Sequence, residues 1–101
     1  MDVDHLVDQL EEAWDSEGFL GQVRVGQFSE EGAEEFLRIL AGIDIDSITC
    51  IPRRFLSLIW YLPLFLDWQR ERVSERGGNI QKYEQFITDV HNTLEVVLGV
   101  P

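Results

Sequence analysis

The stretch FLSLIWYLPLFLDW, Phe55–Trp68, decides the fold. Only Ser57, Pro63 and Asp67 interrupt its apolar run, which holds two tryptophans, a tyrosine and two phenylalanines. A surface helix carries an apolar stripe about 100° wide, whereas this segment is apolar all the way round. It therefore asks to be covered on every side, by other helices or by a partner. Pro63 falls in mid-run. Inside a straight helix it would leave the carbonyl of Ile59 without its N–H and crowd it, at a cost of about 3 kcal/mol. Leu62, just before it, is pushed away from helical angles. The expectation is two helices, Arg53–Tyr61 and Pro63–Arg76, meeting at a kink, with Pro52 where a first helical turn tolerates it. Asp67–Arg70 and Arg72–Glu75 are spaced as i, i+3 pairs on the exposed end.

Helical spacing also governs what lies outside this run. Val3, Leu6, Val7, Leu10, Ala13 and Trp14 recur on one face of a helix from about Asp2 to Ser16. Asp4, Asp8, Glu11, Glu12 and Asp15 fall on its other side. Gly18–Phe28 carries three glycines and reads as a loop or one short extended piece, with Val23 and Val25 around Arg24. Ser29 reads as the N-cap of a helix over Glu30–Ala41, with Ala33, Phe36, Leu37 and Leu40 inward and Gly42 ending it. Glu30, Glu31, Glu34 and Glu35 load its first turns and favour its start through the helix dipole. Ile43–Ile51 is a connector. After Gly77-Gly78, Asn79 caps a last helix whose inward stripe is Ile80, Tyr83, Ile87, Val90, Leu94 and Val97, closed by Gly99. The fold class expected is all-α: one domain over residues 1–101, a compact bundle of four to five mostly antiparallel helices around the Pro-kinked central apolar helix.

Charge is the most one-sided property of the chain. The net charge is −11, from 19 Asp and Glu against 8 Lys and Arg. Residues 1–46 hold thirteen acids and two bases, so the whole imbalance sits there, and residues 47–101 hold six of each. Such a field repels nucleic acid and anionic membrane and favours a basic protein partner. The apolar run is too short to cross a bilayer as a helix, which takes about 20 residues. Met1–Gln9 is acidic, unlike a secretory leader, and a single cysteine suits a reducing, cytoplasmic setting.

No catalytic, cofactor or metal motif stands out, and no enzymatic activity is expected. His5 falls on the outer face of the first helix and His91 at the edge of the last. Neither has the three or four ligands of a zinc site around it. Cys50, beside Ile51 and Pro52, reads as a small buried hydrophobe. Asp44-Ile45-Asp46 lacks the alternating oxygen ligands, the glycine and the late Glu of a calcium loop. Asp46-Ser47-Ile48 resembles the Asp-Ser-Leu/Ile signature of acyl and peptidyl carrier proteins, and that resemblance implies phosphopantetheine on Ser47. Read from the residues alone, Ser47 is an N-cap or turn hydroxyl.

Two further readings concern partners. The acids Asp4, Asp8, Glu11, Glu12, Asp15, Glu30, Glu31, Glu34 and Glu35 face a basic surface, with an aromatic from Trp60, Tyr61 or Trp68 fixing the complex. In size, acidity and helicity this is similar in type to bacterial immunity proteins, which implies an antitoxin-like inhibitor of a basic toxin such as a nuclease. The other reading is a structural or adaptor subunit that assembles, as a homodimer or with another chain, through the aromatic central helix.

Overall fold

A computed structural model describes residues 3–101 of the chain. Among them are seven α-helices and one 3₁₀ turn. These are α1 (Val3–Trp14), α2 (Phe19–Arg24), α3 (Glu30–Ala41), the 3₁₀ turn Ile45–Ser47, α4 (Arg53–Trp60), α5 (Leu62–Trp68), α6 (Arg70–Glu75) and α7 (Ile80–Leu98). The expected start of the first helix at Asp2 lies outside the described residues. Taken together, α4, α5 and α6 form one interrupted helical train, which leaves five helical bodies around a single buried cluster.

The train carries the core. Its buried residues are Phe55, Leu58, Ile59, Leu62, Phe65, Leu66, Gln69 and Val73. They recur at helical spacing straight through both interruptions, so the inner face never changes side. At the first junction Tyr61 keeps right-handed helical angles (φ −79°, ψ −17°), and Pro63 lies in the opening turn of α5. There its missing N–H has no intrahelical acceptor to disappoint. The second junction, at Gln69, is not marked by any breaker residue.

Interrupting a helix leaves carbonyls of its last turn without partners. Side chains from other elements donate to carbonyls near these ends. The indole Nε1 of Trp14 donates to the Leu58 carbonyl (2.8 Å), near the end of α4. The buried Tyr83 hydroxyl donates to the Leu66 carbonyl (2.7 Å), near the end of α5. At the end of α2, Arg72 donates to the Arg24 carbonyl (2.8 Å) and Arg76 to the Val25 carbonyl (3.0 Å). Arg72 thus reaches α2, an acceptor that the expected i, i+3 pairing with Glu75 did not anticipate.

The glycine-rich stretch expected as loop or strand holds α2. Its sequence is a poor helix former, and tertiary packing overrides that. Leu20, Gly21 and Val23 are buried, and a Cβ at Gly21 would lie 1.9 Å from the Asp15 carbonyl oxygen. Only a glycine lets α2 fold back this closely on the end of α1. Phe19 then joins Phe28, Phe36, Tyr83 and Phe86 in an aromatic group between α2, α3 and α7. Phe86 is buried although it lies outside the stripe expected for α7.

The α3 and α7 bounds and caps follow the sequence: Ser29 accepts from the Gly32 N–H (3.0 Å) and Asn79 from the Lys82 N–H (3.1 Å). Two of the packed pairs depart from the antiparallel arrangement expected. Along α3 and α7, Glu30 shares a groove with Lys82 and Gln85, and Ala41 shares one with Asn92 and Thr93. Along α1 and α4, Glu11 meets Arg54 and Trp14 meets Leu58. In both pairs later residues meet later residues, the parallel sense. The reason is that neither pair is consecutive. Intervening elements carry the chain back to the same end before the partner helix begins.

Tyr83 gives a test of this packing. Burial pushes its phenol well above the ordinary value near 10. The folded protein therefore keeps a proton that the unfolded chain releases above pH 10, and the sign follows: this stabilisation is complete below pH 10 and declines as pH rises above it. Replacing Tyr83→Phe is expected to cost about 1 kcal/mol at neutral pH through the lost hydrogen bond. The same change should flatten the alkaline decline, as read by urea denaturation between neutral pH and pH 11.

Candidate functional site

Opposite the buried face, the train has no cover. Leu56, Trp60, Leu64 and Trp68 follow one another at four-residue steps and are 45%, 67%, 42% and 59% exposed. A four-residue step makes a ridge along a helix. The sequence asks for cover on every side of Phe55–Trp68, by other helices or by a partner, and the helices supply it on one side. Helices α1 and α7 cover one side of it, and among the described residues no element lies on the other.

The ridge is tied to the core through stacked rings. Trp14 packs edge-on against the buried Phe65 (centroids 4.8 Å apart) and also stacks with Tyr61 (6.2 Å). Half-buried Tyr61 in turn touches Trp60 (5.6 Å) and Trp68 (6.0 Å). Arg24 lies over Trp14 and Phe65 at 6.0 and 5.4 Å, at the other end of the group. The two exposed indoles are thus seated on rigid neighbours rather than free to wander, which lowers the ordering cost of any contact they make. Of the aromatics singled out from the sequence, Trp60 and Trp68 are exposed and Tyr61 connects them. Leu56 and Leu64 were missed, although their four-residue spacing from the tryptophans could have shown them.

The nine acids are all exposed, but they are not gathered into one flank. Asp8, Glu11, Glu12 and Asp15 line an open groove of about 510 Å³ together with Trp14 and Arg54. Arg54 bonds Glu11 (2.9 Å) and is the groove's single cation, against four carboxylates. Glu30 and Glu34 line a different groove, between α3 and α7, beside Lys82 and Asp89. Glu35 pairs with Arg38 on a third, between α1 and α3, which His5 also lines. Asp4 and Glu31 are exposed on their helices.

The remaining candidates resolve locally. Ser47 ends the 3₁₀ turn and donates its hydroxyl to the Asp44 carbonyl (2.8 Å), and the next helix begins only at Arg53. His91 is exposed on α7. Among the described residues, no group of three or more His, Cys, Asp or Glu is placed to hold a metal ion, and no helix is long and apolar enough to cross a membrane. Cys50 corrects its expectation. It is exposed, because the connector between the 3₁₀ turn and α4 runs over the surface without forming a helix face that could bury it. No protein-family model, curated protein or solved structure matches the chain. Its function has to be read from these surfaces.

The exposure of Cys50 predicts that Ellman's reagent titrates one thiol per chain in native buffer. The rate should be comparable with that of the urea-unfolded protein. A thiol that reacts only after unfolding would place Cys50 inside.

Proposed function

We propose that the chain is a small acidic protein-binding module of the inhibitor kind, which captures a basic protein through the carboxylate groove of α1. The observation that carries this reading is the grouping of Asp8, Glu11, Glu12 and Asp15 around Trp14, with Arg54 alone opposing them. Four carboxylates beside an aromatic supply long-range attraction together with a short-range apolar contact. The remaining excess of acids in residues 1–46 adds to the same field. A basic toxin held by a bacterial immunity or antitoxin protein is the class of partner that this combination suits. The acids of α3 then extend the field rather than share the contact, since they line another groove.

The second reading, a structural or adaptor subunit, is favoured by a separate observation: the uncovered ridge from Leu56 to Trp68. Contiguous apolar surface rimmed by polar residues marks an interaction site on a soluble protein. The two readings use different faces, so they are compatible.

Charge-steered capture has a kinetic signature. The association rate with a basic partner, sought first as the product of the adjacent reading frame, should fall about tenfold or more between ~0.05 M and ~0.5 M NaCl. The quadruple variant D8N/E11Q/E12Q/D15N should lower that rate to a similar degree at low salt. Rates insensitive to both salt and these substitutions would overturn the reading.

A further inference from the structure

We propose that the outer face of the α4–α6 train is the seam of a homodimer, in which two copies of the train pack antiparallel about a two-fold axis. The ridge alone does not identify its occupant. The charges at its two ends do. Arg53, Ser57, Trp60, Leu64, Asp67 and Glu71 are all exposed and step by four, three, four, three and four. They therefore share one face of the train, with apolar Trp60 and Leu64 at its centre and charged residues at both ends. Leu56 and Trp68 flank it.

The seam is self-complementary in one orientation. When two copies run antiparallel with Trp60 of each against Leu64 of the other, Leu56 falls beside Trp68. Arg53 then falls opposite Glu71, and symmetry makes every one of these pairings twice, as an isologous interface requires. A parallel pairing would set Arg53 against Arg53 and Glu71 against Glu71. The ends of the seam therefore choose the antiparallel register, while its centre is apolar.

Charge and area both favour a second copy over a basic partner at this face. The train carries four arginines (Arg53, Arg54, Arg70, Arg72) and three acids (Asp67, Glu71, Glu75), so it is nearly neutral within a chain of net charge −11. Two copies can meet here without bringing their acidic halves into contact, and at physiological salt repulsion beyond about 8 Å is screened. A cationic partner would find no excess of carboxylates along the ridge. Two indoles per copy, each more than half exposed, supply on the order of 500 Å² in the pair, taking about 200 Å² for a whole aromatic side chain. The leucines and charged ends bring the total towards the ~1,000 Å² at which specific interfaces begin.

The proposal does not depend on the basic-partner reading, and one set of variants separates them. Sedimentation equilibrium of the whole chain should give about twice the 11.7 kDa monomer mass at concentrations on the order of 100 µM, with tryptophan emission shifting to the red on dilution. Trp60→Glu should yield monomer with unchanged helical circular dichroism. Arg53→Glu and Glu71→Arg should each weaken the dimer at least about fivefold, as two like-charge contacts replace two attractive ones. The double variant R53E/E71R should restore it, and so should an equimolar mixture of the two single variants. A monomer at all these concentrations would overturn the proposal, and so would a dimer indifferent to Trp60→Glu or lacking charge-swap rescue. None of these substitutions touches the α1 groove, so loss of the dimer with partner capture intact, or the converse, tells the two readings apart.

Discussion

Everything in this molecule rests on a helical phase that survives two interruptions. From Phe55 to Val73 the same side of the train faces inward, although the helix is interrupted at Tyr61 and Gln69. Tyr61 keeps helical angles, and Trp14 and Tyr83 donate to the Leu58 and Leu66 carbonyls just before the two junctions. Those two donors come from α1 and α7, the first and last elements of the fold. Closing the helix ends therefore also fixes where the outer helices lie, and one side of an all-apolar segment becomes the core.

Among the described residues, nothing covers the other side. A chain of this length has too few helices to surround a segment that is apolar on every face, and small domains expose a large share of their surface for the same reason. The outcome is an ordered ridge, because Tyr61, packed against Phe65, meets the indole of Trp60 at a tilt and that of Trp68 edge-on. The acids occupy other faces. Asp8, Glu11, Glu12 and Asp15 crowd a groove beside α4, whereas those of α3 open towards α7 or α1. The carboxylate groove and the ridge are separate surfaces, each available for a different kind of contact.

How much of this could be read in the sequence depended on whether the deciding interactions were local. Helices α3 and α7 were legible to their caps, because Ser29 and Asn79 act three residues away. The stripe of α1 was legible for the same reason. Helix α2 was not, since it depends on Gly21 packing against the Asp15 carbonyl and on Phe19 meeting Phe86, contacts that propensity cannot register. The parallel sense of α1 with α4 and of α3 with α7 was hidden because it depends on non-consecutive partners. At the candidate site, the exposed acids and the importance of Trp60, Tyr61 and Trp68 were visible as composition. What composition could not show was which face of an all-apolar helix would be left outside. That is settled by the other helices, and with it the exposure of Leu56 and Leu64. Cys50 was misplaced because its apolar neighbours in sequence, Ile51 and Pro52, sit on a surface connector.

The central claim is that the two faces of the train have opposite roles, and paired alanine substitutions measured by urea denaturation test it most directly. At concentrations too low for self-association, Phe65→Ala should cost about 3–5 kcal/mol, as for a large aromatic removed from a packed core. Trp60→Ala, five residues away on the outer side, should change stability by no more than about 0.5 kcal/mol. Comparable losses at the two positions, or a larger one at Trp60, would contradict the account.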